Sequence, residues 1–107
     1  MSETCVLSVS DQAELRWLHE WLADAPDVRV RQEAGAPAPG EQGALDYVTV
    51  LAGSGGLIAA IRMLPAFLRA RRPELKVTMT LRGRKFTVDA KNIDEVLPLL
   101  EKLIDAE

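Results

Sequence analysis

Apolar and polar positions alternate from residue 4 to residue 9, and the run is rich in β-branched side chains, which predicts a first strand. Ser10 and Asp11 then interrupt it. Asp11 and Glu14 stand at capping-box spacing, and Leu15, Leu18 and Leu22, with Trp17 and Trp21, recur at three- and four-residue intervals as far as Ala25. The period changes from two to 3.6, so a helix follows the strand, and Pro26 ends it. Val28 and Val30 alternate with Arg29 and Arg31, a half-exposed second strand with a basic outer face. Residues 34–43 are mostly Gly, Ala and Pro and predict a loop, long for a connection inside a small domain.

The next stretch supports two readings. Leu45, Val48, Ala52, Gly55, Ala59 and Met63 keep helical spacing, and the pattern leans to one long helix with a notch of small residues. Residues 47–51 also suit a strand, with Gly53, Ser54, Gly55 and Gly56 as a turn before a shorter helix. Residues 57–71 are helical in either case, bent near Pro65 and ended by Pro73. Leu75, Val77, Met79 and Leu81 alternate with Lys76, Thr78, Thr80 and Arg82; the chain turns at Arg82, Gly83 and Arg84, and Phe86, Val88 and Ala90 return on the same parity. Asn92 and Glu95 repeat the capping-box spacing before a last amphipathic helix through Ile104, which contains Pro98. The expected fold is a single α+β domain. It has a small mixed sheet of about four strands, helices mainly on one face, and a C-terminal hairpin followed by a helix.

Composition narrows the function classes. The chain has 107 residues, 48% hydrophobic and 27% charged, so it can bury a core. Its net charge of −3 argues against a general polyanion binder, and no nucleic-acid partner is expected. One cysteine, Cys5, excludes an internal disulfide, and with a single histidine the chain cannot build a His/Cys-rich zinc module. Cys5 reads as a buried apolar residue. The N-terminus has no basic region of the signal-peptide type, and the longest uncharged stretch, residues 47–61, is short for a span; a soluble, cytoplasmic protein without membrane partners is expected.

No residue constellation joins a nucleophile, a base and an orienting group. Ser54 among glycines has a nucleophile-elbow look, but the single histidine, His19, reads as a helix-surface residue. Residues 53–56 could cradle a phosphate, yet Leu57 and Ile58 stand where a P-loop needs Lys and Ser or Thr. Close backbone packing accounts for the glycines better, and a ligand or nucleotide sensor built on Gly53 to Gly56 is the alternative function. No cofactor, metal or catalytic residue is expected.

Charge is distributed unevenly. Residues 62–91 hold nine basic and two acidic side chains, a local +7, while the remainder sums to −10. Arg69, Arg71 and Arg72 at a helix C-terminus suit the helix dipole. Arg82, Arg84 and Lys85 at the hairpin tip have no such explanation in sequence. These six residues are the candidate partner contacts. A chain this dipolar favours protein partners or head-to-tail self-association into a homo-oligomer.

A resemblance sharpens this. Pro37 through Leu45, Val50 through Gly56, Phe67 through Pro73 and Lys85 through Ile93, in that order, resemble the effector-associated constant component family of bacterial, mainly actinobacterial, conflict systems. The likeness runs from about Trp17 to Leu103. Phe67 stands where Trp is expected, and Pro65 interrupts a helix usually free of Pro. The resemblance implies a non-enzymatic adaptor or regulatory component whose partner is a variable effector, such as a caspase-like or trypsin-like protease.

Overall fold

A computed structural model of the chain describes residues 3–35, 46–71 and 74–105. Most of the predicted 34–43 loop, Leu45 and Arg72 lie outside the described residues. The elements are β1 (Glu3–Val9), a 3-10 turn (Gln12–Glu14), α1 (Leu15–Ala23), β2 (Val28–Glu33), β3 (Tyr47–Ala52), α2 (Ser54–Ile61), α3 (Leu64–Arg69), β4 (Val77–Leu81), β5 (Arg84–Val88) and α4 (Ile93–Asp105). The strands form one sheet in the order β2-β3-β1-β4-β5. Through β4 this is the β-α-β-β-α-β order of ferredoxin-like domains, with β5 and α4 appended.

The α+β class holds, with two corrections. Among the described residues there are five strands rather than about four, and every pairing is antiparallel, so the sheet is not mixed. The added strand is β3, in the segment where spacing leaned to a helix. Two ladders outweigh that spacing: β3 pairs with β1 along one side and β2 along the other, which a helix there would leave without neighbours. Val48, Val50 and Ala52 are buried on alternate positions, as a strand on one core face requires.

Cys5, Leu7 and Val9 of β1, Val77, Met79 and Leu81 of β4, and Val88 of β5 join that face, and all the helices pack against it. Among the described residues no polar or charged side chain is fully buried, so apolar burial alone fills the core. The opposite face carries Thr4, Thr49, Thr78, Thr80 and Thr87, as suits a sheet solvated on one side.

The predicted bend near Pro65 is a break. Helix α2 stops at Ile61, α3 restarts at Leu64, and Pro65 occupies the first turn of α3, where no amide hydrogen is needed. At the break the Met63 carbonyl accepts both from Phe67 N at 3.3 Å and from the Trp21 indole Nε1 at 2.9 Å.

Both predicted caps form differently. Asp11 Oδ1 accepts from Ala13 N at 3.0 Å, but Glu14 turns away to Arg71. Ahead of α4, Asp89 Oδ1 accepts from Lys91 N and Asn92 N, while Asn92 Oδ1 accepts from Asp89 N. Those amide bonds hold the Asp89 carboxyl below its ordinary range.

The predicted hairpin turn tightens to two residues, Arg82 at φ 52° and Gly83 at φ 78°. Positive φ at both positions is the type I′ turn, which matches the strand twist. Such a turn makes Leu81 and Arg84 a hydrogen-bonded pair, so Lys85 and Thr87 aim their backbone groups at the outer edge of β5. There the Thr87 carbonyl accepts from Asn92 Nδ2 at 3.1 Å. On the other edge strand the Val30 carbonyl accepts from His19 Nε2 at 3.3 Å.

Close packing explains one of the two glycines that open α2. A Cβ on Gly56 would lie 3.0 Å from the Asp27 carbonyl oxygen and 3.3 Å from Ala52 Cβ, whereas one on Gly55 would meet nothing within 4 Å. Gly56→Ala is therefore expected to lower stability by about 1–3 kcal/mol through overpacking. Gly55→Ala should raise it by up to about 1 kcal/mol through helix propensity. Denaturant melts of the two variants check this, and shifts of the same sign would contradict the packing. Burial pushes the Cys5 thiol up to about 12, keeping it protonated. The native protein should resist alkylation in mildly alkaline buffer and react on unfolding, with mass spectrometry as the readout; rapid labelling of folded protein would contradict the burial.

Candidate interaction surface

The surface is built by the basic stretch of residues 62–91 and by what it meets when the chain closes. Arg62 on the last turn of α2 pairs with Glu101 of α4, and Arg69 at the end of α3 pairs with Asp94 at 2.6 Å. Arg71 lies 3.4 Å from Glu14, with its guanidinium 5.4 Å from the Trp17 ring centre and 5.2 Å from that of Phe67. The chain ends supply most of the acidic partners, so charge that is segregated in sequence is compensated in space.

Arg82 is the clearest case. Its side chain pairs with Glu3 at the start of β1 and donates to the carbonyls of Leu103 and Ile104. Those oxygens close the C-terminal turn of α4, whose carbonyls lack intrahelical partners. The hairpin arginine thus caps a helix end 21 and 22 residues away in sequence and ties the tip to β1, a role its position in a turn does not advertise.

Of the six candidate contacts, Arg69, Arg71 and Arg82 have internal partners, and Arg72 lies outside the described residues. Arg84 and Lys85 are exposed and make no ion pair among the described residues. Register places Arg84 on the helix side of β5, opposite Leu81, and Lys85 on the open side, opposite Thr80.

Helix α4 brings an apolar stripe to the same region. Ile93, Leu100 and Ile104 are buried, while Asp94 and Glu101 face α3 and α2 through their arginines. The opposite flank, toward β5, carries Val96, Leu99 and Leu103. Val96, Leu103 and Phe86 of β5 pack partly against the core, and Leu99 is 58% exposed. The signal that marks it is the second apolar stripe at 96, 99 and 103, wider than one buried face needs.

Within the glycine segment, Gly56 packs against the Asp27 carbonyl and Val28, whereas a Cβ on Gly55 would meet nothing within 4 Å. His19, the single histidine, engages the Val30 carbonyl. Among the described residues no helix is long and apolar enough to cross a membrane.

What these features define is a small α+β domain in which four arginines of the basic stretch are paired internally and a basic edge strand lies beside an apolar helix flank. The chain matches the family described as Effector Associated Constant Component 1 over residues 8–104, and it belongs to that family. No curated protein and no solved structure matches it.

The internal role of Arg82 gives a test that needs no partner. Arg82→Ala should cost about 1–3 kcal/mol, the range for charge-assisted bonds. Arg82→Gly loses the same bonds but relieves the left-handed backbone, and should recover roughly 1 kcal/mol of that. Thermal melts giving the order wild type, Arg82→Gly, Arg82→Ala support the capping role; an Arg82→Ala melt equal to wild type contradicts it.

Proposed function

We propose that this chain is a non-enzymatic adaptor or regulatory component, which docks a variable effector through the corner where β5 meets α4. The family match over residues 8–104 carries this reading, since the family is described by its association with effectors. The surface at the corner offers Arg84 on the helix side of β5, with Lys85 next to it on the open side, neither in an ion pair among the described residues, together with the exposed Leu99 of α4. An apolar centre rimmed by charge is how a protein-docking patch is commonly built. The effector it suits presents an acidic rim around an apolar contact, and a caspase-like or trypsin-like protease is the class proposed.

The test is co-purification with the product of the neighbouring effector gene. Arg84→Glu combined with Lys85→Glu should reduce capture at least tenfold, because charge complementarity inverts to repulsion. The melting temperature should barely move, since neither side chain supports the fold. Capture at wild-type level by this variant would overturn the assignment of the corner.

A further inference from the structure

A second site lies on the other side of the helical layer. Trp17, Glu20, Trp21, Asp24 and Arg71 line an open groove of about 280 Å³ on the outer side of α1. Its walls are fixed from within. The Trp21 indole is held by the Met63 carbonyl at 2.9 Å, with its ring centre 5.9 Å from that of Phe67. Arg71, wedged between Trp17 and Phe67 and balanced by Glu14, covers part of the Trp17 ring, yet Trp17 remains 48% exposed. Such exposure is unusual for tryptophan in a domain whose core is otherwise complete.

The rim is acidic, and at the helix end where acid is least favoured. Glu20 lies in the last turn of α1 and Asp24 is its C-cap residue, and that turn carries no basic residue. The helix dipole already places partial negative charge there, so both carboxylates oppose the local field. Glu20 meets only Arg16 at 3.5 Å, with both side chains largely exposed, a pair that exchanges readily. Asp24 makes no ion pair among the described residues. Exposed indole, two carboxylates four residues apart and an uncompensated helix C-terminus all favour one kind of guest. A cation with an apolar stem would stack on the indole and neutralise the rim.

We propose that this groove is a binding site for a basic segment of a protein partner, and that it takes one lysine or arginine side chain between Trp17 and the Glu20–Asp24 rim. The site is separate from the β5–α4 corner and prefers ligands of opposite charge, so its test does not depend on the effector. The chain has two tryptophans, both in this groove, and their fluorescence reports occupancy.

The probes are acetylated tetra-arginine amide and tetra-lysine amide, titrated at low ionic strength, with tetra-glutamate as control. The basic peptides should give a saturable fluorescence change with perturbation of the two indole NH resonances, and tetra-glutamate none. Trp17→Leu, which keeps every charge, should weaken binding about fivefold. Glu20→Lys with Asp24→Lys should weaken it at least tenfold while the circular dichroism spectrum and melting temperature stay near wild type. Arg84→Glu with Lys85→Glu should bind the peptides no worse than wild type. Absence of a saturable response, an equal response to tetra-glutamate, or wild-type binding by either groove variant would overturn the proposal. Loss of effector capture at the corner with an intact groove response separates the two sites.

Discussion

The two hydrogen-bonded ladders of β1 are the constraint on which the domain depends. β1 is first in sequence and central in space, with β3 along one side and β4 along the other. Both neighbours come from more than 40 residues away: the β1–β3 ladder needs the first 52 residues and the β1–β4 ladder the first 81. Long-range pairing of this kind carries a large closure entropy, which the buried faces of β1, β3 and β4 must offset together. Once β1 is in place little freedom remains. The helices have only one apolar face to cover, and the hairpin must cross its end, where Glu3 meets Arg82.

Electrostatics follows the same closure. A chain with +7 in one block and −10 elsewhere reads as a dipole, yet the folded domain pairs arginines 62, 69, 71 and 82 with glutamates and aspartates from β1, the turn before α1, and α4. Each exposed pair adds little stability alone. Their collective effect is on specificity, since they remove four cations from competition for partners. Of the six basic residues singled out in the sequence, Arg84 and Lys85 are the two described ones left without an ion pair among the described residues.

Much of the fold was legible because it rests on local periodicity. β1, β2, the β4–β5 hairpin and α4 show in alternation or in the 3.6-residue repeat, and the Arg82–Gly83 turn in its glycine. Residues 47–52 were not legible. Val48, Ala52, Gly55 and Ala59 satisfy helical spacing by coincidence with strand parity, and the deciding fact, a partner strand on each side, lies far off in sequence. The break at Met63 was half visible: Pro65 announces a disturbance, but a bend and a new first helical turn look alike without the Trp21 indole in view. At the candidate surface, exposed basic residues were recognisable as a group. Which of them the fold consumes depends on where α4 ends and where β1 begins, and no local pattern states that. Trp17 was read as part of an apolar helix face; it lies off the buried stripe of Leu15, Leu18 and Leu22 and stays exposed.

The two edge strands each give a carbonyl to a side chain, Val30 to His19 and Thr87 to Asn92. An oxygen already bonded in this way is not on offer to a passing strand, and on β5 it is one of the few polar groups the short edge exposes. A member of a family named for its association with effectors benefits from a sheet edge that does not itself recruit strands. Promiscuous strand addition would turn it into a seed for fibres or a trap for nascent chains. Each side-chain bond removes one acceptor from an edge that a foreign strand would otherwise pair with, and leaves the side chains as the part of the surface free to vary.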